Sequence, residues 1–488
     1  MIRVTDPGRC QPYCTDASNL PGGSADGIVL PASESEVVEF LREAYEHRVP
    51  VTVAGHGSGL VGGRIPFGGW VLSTERLCRL RMIRVDATHR VAVVEPGVPL
   101  GRLQDAAQSA GLIYPPDPTE HDAFVGGSVS TNASGACSFK YGTTRRYVRA
   151  LRAVLPDGQT LALTRGVYRA KRRRLVLETE QGRRIHVLLP SYRMPGTKHA
   201  AGYFVTPGLD AVDLFVGSEG TLGVVTQVTV ELRPAPEHLC SFVAFFSTEE
   251  AAWGFAIAAR RLSRQKPAML EARAIEYLDR YSLELLRPDH PQIPAQAQSA
   301  IYIEQESTGQ RVSAHLERWR RFVADYRGMD DRMWVASTRE EQAKLKALRR
   351  ALPLAIKEQL RRNGRPKVGT DMAVPDRQLL PFMRAYRRVL DRLGQPYCLF
   401  GHIGDNHLHA NIMPRSETEL FDARKACVAL VKRAVALGGT LSAEHGVGKL
   451  KRTFLGLLYS RRELYEMRQV KAALDPHWIL GQRNIFER

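Results

Sequence analysis

GHGSGLVGG, residues 55–63, places five glycines in nine positions directly after a β-rich run, PVTVAG (50–55). Gly57, Gly59 and Gly62 fit the G-x-G-x-x-G spacing of a dinucleotide loop, and Glu75 lies about where a ribose-binding acid would. Such a fingerprint must open a helix whose N-terminus receives the pyrophosphate. Here Gly63, Pro66, Gly68 and Gly69 follow at once, and then another β-rich run, GWVLST (69–74), so no helix can start. The doubly wound fold is excluded. What survives is a loop whose bare backbone amides can approach an anion.

The flanking sequence extends this reading. RVAVVEPG (90–97) and RALRAVLPDG (149–158) read as strands, the second closed by a Pro-Asp-Gly turn. SESEVVEFLREAYEH (33–47) reads as a helix behind a serine cap, and LGRLQDAAQSAG (100–111) as one closed by glycine. A second glycine-rich segment, PPDPTEHDAFVGGSVSTNASGACSFKYG (115–142), has the character of the first, and two such loops suit a large ligand with two phosphates. Residues 165–200 are basic and read as an inserted or extended loop. DLFVGSEGTLGVVTQVTVELRPAPE (213–237) returns to strand character and ends in a Pro-rich boundary. Beyond it, amphipathic helices at 249–264, 310–326 and 338–362 alternate with strands near 241–246, 300–305 and 396–413. The expected class is α+β. The expected divisions are 1–235 with a basic insertion at about 165–195, a second domain of sheet covered by helices at 236–470, and a tail at 471–488.

Global properties narrow the function classes. A chain of 488 residues is too long for one core. No apolar run approaches the roughly 20 residues that span a bilayer, and MIRVTDPGRCQPY has no apolar core of a secretory signal. The seven cysteines are scattered, with only Cys10 and Cys14 close, so no iron–sulfur or four-thiolate set is present and a reduced, cytoplasmic setting is expected. The net charge of +18 would suit nucleic acid, an anionic membrane surface, an acidic protein or anionic substrates. No helix-turn-helix, zinc-finger or RNA-recognition signature accompanies it, which excludes nucleic acid.

GHIGDNHLHANIM (401–413) carries His402, His407 and His409. A helix would separate His402 and His409 by roughly 10 Å, too far for one ion, and a continuous strand would put them on opposite faces. A hairpin with Asp405-Asn406 as a two-residue turn pairs 402 with 409 on one face, about 5 Å apart. His407 and Asn411 share that face. LSAEHGVGK (441–449) adds adjacent Glu444 and His445 in a glycine-flanked loop.

The two glycine loops, with YCTDASNL near the start, KHAAGYF (198–204), VGSEGTLGVVT (216–226) and AEHGVGK near the end, resemble the FAD-binding (PCMH-type) flavoproteins of the vanillyl-alcohol oxidase superfamily. Within it the chain is similar to the D-lactate, glycolate and D-2-hydroxyglutarate dehydrogenase branch. The resemblance implies a two-lobed FAD-binding domain, its lobes on either side of an α/β cap domain in sequence terms. It implies pyrophosphate contacts from Gly55, His56, Gly57, Ser58 and Gly59, contacts along the ribityl and flavin side from Pro116, Gly126, Gly127, Ser130, Asn132 and Gly135, and further contacts from Glu219, Gly220 and Val224. Relatives with covalent flavin carry histidine where Ser58 stands, so non-covalent FAD is expected. In the family pattern His402, His409 and Glu444 bind a divalent metal, zinc or manganese here, and His445 is the base. The pattern departs at Asn406-His407, where Gly-Asn is usual.

The implied reaction is oxidation of a D-2-hydroxy acid to the 2-oxo acid. The metal lowers the hydroxyl pKa, His445 takes the proton, hydride passes to flavin, and Arg349 with Lys367 holds the carboxylate. Asn411 is counted with this catalytic set. Electrons must then leave to an iron–sulfur partner, a cytochrome, a quinone or oxygen, with peripheral attachment at the inner membrane face as one setting for the basic surface. Two other classes remain: a same-fold oxidase of a sugar lactone or alcohol, and a non-catalytic basic binding protein.

Overall fold

The computed structural model describes residues 1–86, 89–265, 268 and 270–487. Two sheets form the first part of the chain. The strand Val51–Ala54, which leads into the glycine loop, lies parallel to Trp70–Ser73, which lies parallel to Gly27–Leu30; Ile2–Val4 closes that sheet antiparallel. The helix Glu34–Glu46, capped by Ser33, lays Val37, Phe40 and Leu41 on Val29, Val51 and Leu72. The second sheet is antiparallel throughout, in the order Leu80–Val85, Arg90–Val94, Val224–Glu231, Val148–Val154, Thr160–Thr164.

Both sheets precede the cap in the chain, which corrects the expectation of lobes flanking it. After the cap the helix Arg461–Leu474 and the tail return, and Leu480 bridges to Val51 beside the first sheet. The basic stretch is also not a loose loop. Arg174–Glu178 and Arg184–Leu188 form a hairpin whose Leu175, Leu177, Ile185 and Val187 are buried while the residues between them face out. Its arginines sit on the outward side of an ordinary two-residue alternation.

The cap is one antiparallel sheet of eight strands. Its order runs Trp334–Ala336, His238–Phe246, Ser299–Ser307, Ala272–Asp279, Tyr397–Gly401, His407–Ile412, Val368–Gly369, with Met372–Ala373 also pairing to His407–Ile412. Thr248 caps the helix Glu249–Arg264 and a Thr338–Glu341 capping box opens Arg339–Asn363. These helices and Val312–Asp325 cover the sheet, as an α+β reading requires. No described helix is long and apolar enough to cross a membrane.

Two buried polar ties hold the returning segment. Lys471 pairs with Asp475 and donates to the carbonyls of Thr221 (2.6 Å) and Leu480 (2.9 Å). His199 lies between Thr440 Oγ1 (2.8 Å) and the Tyr459 hydroxyl (3.1 Å), and burial pushes its pKa down to about 4. Replacing Lys471 with Met leaves Asp475 as an uncompensated buried charge, so unfolding in urea should show a loss of about 3–5 kcal/mol. For His199 the unfolded imidazole protonates near 6.5 and the folded one near 4. The unfolded state therefore binds more protons between those values, and stability falls as pH drops through that window. Thermal denaturation of His199→Gln should show a decline across this window that is shallower by on the order of 3 kcal/mol.

Candidate functional site

The glycine loop is held from beneath, leaving its amides outward. Arg64 donates to the Gly55 carbonyl (2.7 Å) and the Pro12 carbonyl (2.8 Å). Lys449 Nζ reaches the carbonyls of Gly62 and Gly63 and Asn484 Oδ1 (2.6 Å). Among the described residues, the amides of residues 56–60 have no protein acceptor. An ideal Cβ on Gly55 would stand 3.9 Å from Gly127 Cα, and one on Gly127 would meet nothing within 4 Å. The two loops therefore face each other with bare backbone, and unpartnered N–H groups in such a cradle suit phosphate oxygens. His56 packs edge-on against Phe124.

The other expected cofactor residues divide. Gly126 is required for packing, since a Cβ would lie 2.4 Å from Pro96 Cβ. Gly135, at φ +90°, backs onto the Asp117 carbonyl, which a Cβ would strike at 1.9 Å. Pro116 is buried and accepts from Gln104. Asn132 ends the helix Val125–Thr131 in the left-handed region and accepts from the Arg145 amide. The Ser130 carbonyl accepts from the Glu219 amide. Glu219 accepts from the amides of Val447 (2.8 Å) and Gly448 (2.6 Å), and burial pushes its pKa up to about 7. Gly220 rests on Val53. Val224 lies in the apolar core with Val29 and Leu72.

The histidine stretch is a hairpin, but with a different register. Phe400, not His402, stands opposite His409, because residues 403–405 form a 3₁₀ turn closed by Asn406 in the left-handed region. Asn406 is locked there by Arg260 and by Asp376 Oδ1 (2.8 Å), so the two-residue turn at Asp405-Asn406 does not form. His402 and His409 still converge, with ring centroids 5.6 Å apart. Glu444 Oε1 lies 3.4 Å from His402 Nε2, 3.3 Å from His409 Nε2 and 3.7 Å from His445 Nε2. Ligand atoms of His402, His407, His409 and Glu444 all fall within 4.8 Å of one another, a spacing that one ion bound at about 2 Å can bridge.

Partners outside this set fix its protons. His402 Nδ1 is 2.7 Å from Glu276 Oε1, and His409 Nδ1 is 3.1 Å from the Thr370 carbonyl, so each ring donates there and turns its Nε2 toward Glu444. Burial opposes charge on His402, yet Glu276 and Glu444 raise its pKa to about 9. Burial likewise opposes charge on Glu444, but Lys198 (2.7 Å), His402 and His407 hold it well below the usual range. His445 stacks on His409 at 5.1 Å, its Nδ1 is 3.3 Å from Asp371 Oδ2, and burial pushes its pKa down to about 4.

Arg349 Nε lies 3.4 Å from Glu276 Oε2, so Glu276 joins it to His402. Lys367 Nζ donates to Asn411 Oδ1 (3.0 Å), and burial lowers its pKa. Glu276, Asp371, Lys198 and Lys451 are absent from the sequence-derived site. A signal for Glu276 exists in ARAIEYLD (272–279), where the carboxylates of Glu276 and Asp279 interrupt an eight-residue strand that is buried throughout.

Residues 25–164 match the FAD binding domain family, and residues 235–485 match the family described as FAD linked oxidases, C-terminal domain. The chain is 30% identical to glycolate oxidase subunit GlcD of Bacillus subtilis over 98% of its own length and 92% of that protein's. It is 31% identical to a D-lactate dehydrogenase of Archaeoglobus fulgidus (94% and 91% covered) and 29% identical to a D-2-hydroxyglutarate dehydrogenase of Xanthomonas citri pv. viticola (99% and 94%). In fold it is similar to alkyldihydroxyacetonephosphate synthase, with a TM-score of 0.63 at 18% identity, covering 94% of this chain and 77% of that one. The chain belongs to the FAD-linked oxidase family.

Proposed function

We propose that the protein oxidises a D-2-hydroxy acid, of the D-lactate, glycolate or D-2-hydroxyglutarate class, to the 2-oxo acid with non-covalently bound FAD and a divalent cation. One observation carries this reading. The loop bearing Glu444 and His445 is seated on the glycine loop, with Lys449 N–H donating to the Val61 carbonyl (2.9 Å) and Gly448 so close to that carbonyl that a Cβ would lie 2.2 Å away. A base, a cation site and a phosphate cradle thus adjoin across the two domains. The names of the relatives, each a flavin-family protein acting on a 2-hydroxy acid, support the same class.

When bound, FAD supplies the hydride acceptor and a cation on His402, His409 and Glu444 supplies Lewis acidity toward the substrate hydroxyl. His445 Nε2 takes the hydroxyl proton, because Asp371 occupies Nδ1 and leaves Nε2 as the acceptor. Arg349 and Lys367, with Asn411, hold the carboxylate end and fix which face of C2 is presented. Glu276 keeps Arg349 and His402 in one frame. Electrons pass on to an acceptor outside this chain, an iron–sulfur partner, a cytochrome, a quinone or oxygen, and the basic surface suits an acidic partner or the inner membrane face.

The purified protein should be yellow, with flavin absorbance near about 450 nm. Under anaerobic conditions a D-2-hydroxy acid should bleach it while the L-enantiomer should not. Chelation should stop bleaching, and Zn²⁺ or Mn²⁺ should restore it. Colourless protein that cannot be reconstituted with FAD would contradict the flavin reading, and bleaching that survives complete metal removal would contradict the metal's role.

A further inference from the structure

The surroundings of His407 are specific. The ring is fully buried, 0% exposed. Nε2 lies 2.8 Å from Asp371 Oδ1, a carboxylate oxygen that only accepts, so Nε2 carries the proton and Nδ1 carries a lone pair. Nδ1 has no hydrogen-bond partner among the described residues. It lies 3.9 Å from Glu444 Oε2, which already receives Lys198 Nζ (2.7 Å) and Ser134 Oγ (2.8 Å), so the Nδ1 lone pair is the acceptor left without a donor. A buried acceptor left without a donor is costly unless a ligand or ion meets it. Lys198 donates to Glu444 Oε2 and Ser138 Oγ but makes no hydrogen bond to His407. The ring centroid is 4.4 Å from that of His409 and 5.4 Å from that of His402. The backbone leaves the ring no alternative place, since His407 pairs with Ala373 across the sheet and its N–H donates to the His402 carbonyl.

We propose that His407, through Nδ1, is a third imidazole ligand of the cation held by His402, His409 and Glu444, with Asp371 fixing the ring. Together these residues would offer the cation four protein donors, three of them imidazole. A nitrogen-rich set also favours Zn²⁺ or Co²⁺ over Mn²⁺, Mg²⁺ or Ca²⁺. This deepens the metal reading above and rests on it.

The test uses the FAD-loaded protein, stripped with a chelator and titrated with Zn²⁺ alone, followed by X-ray absorption at the zinc edge to count imidazoles. The expected result is one ion per chain with three imidazoles. His407→Asn should keep the flavin content, lower the melting temperature of the metal-free protein through loss of the Asp371 hydrogen bond, bind Zn²⁺ at least about tenfold more weakly, and show two imidazoles. A purely structural histidine would not change that count. Two imidazoles in the wild type, or an unchanged count and affinity in His407→Asn, overturns the assignment of His407 while leaving the cation site standing. Failure of the wild type to bind a stoichiometric ion overturns both. If His407→Asn does not fold, the wild-type count alone decides.

Discussion

The buried carboxylate of Asp371 is the interaction on which the site depends. It receives His407 Nε2 (2.8 Å), Ser442 Oγ (2.7 Å), Lys451 Nζ (2.6 Å) and the amides of Glu444 (3.3 Å) and His445 (3.0 Å). One side chain thereby sets the backbone of the 441–449 loop, the tautomer of a candidate base and the orientation of a histidine in the hairpin opposite. Burial alone would raise its pKa, but His445, Lys451 and His407 hold it well below the carboxylate range. A buried anion so surrounded is costly to form and rigid once formed. That rigidity suits a site whose donors must keep their positions with or without a ligand.

A second constraint joins this loop to the first domain. Glu219 sits at φ +53° and clamps the amides of Val447 and Gly448, while Lys449 closes on the carbonyls beneath the glycine loop. The Glu444–His445 pair is therefore positioned by contacts from both domains. The domain junction is where ligand sites concentrate in general, and here the reason is visible bond by bond.

Much of this was legible in the sequence where the signal is local. Glycine and proline after residue 62 ruled out a helix without any tertiary knowledge, and the long amphipathic helices of the cap fell within a few residues of their structural bounds. The hairpin at 401–413 was legible as a hairpin, because only that geometry brings residues seven apart together. Its register was not, because Asn406 is turned by Arg260 and Asp376, which are distant in the chain. The stretch at 165–195 was misread because arginines at the outward positions masked the buried alternation of Leu175, Leu177, Ile185 and Val187. Glu276 and Asp371 carry no periodic signal. Glu276 shares its strand with Arg273 and Asp279, and the importance of both Glu276 and Asp371 comes from histidines that only the fold brings to them.

If Asp371 organises the base and the imidazoles, replacing it with the isosteric asparagine should leave FAD bound and the chain folded while disabling proton transfer. The direct measurement is the rate of anaerobic flavin reduction by a reactive D-2-hydroxy acid in Asp371→Asn, with bound metal counted in the same sample. The account predicts a fall of roughly a thousandfold or more, as when an imidazole base loses its orienting carboxylate, accompanied by weakened metal binding. Reduction at the wild-type rate with a full complement of metal would contradict it.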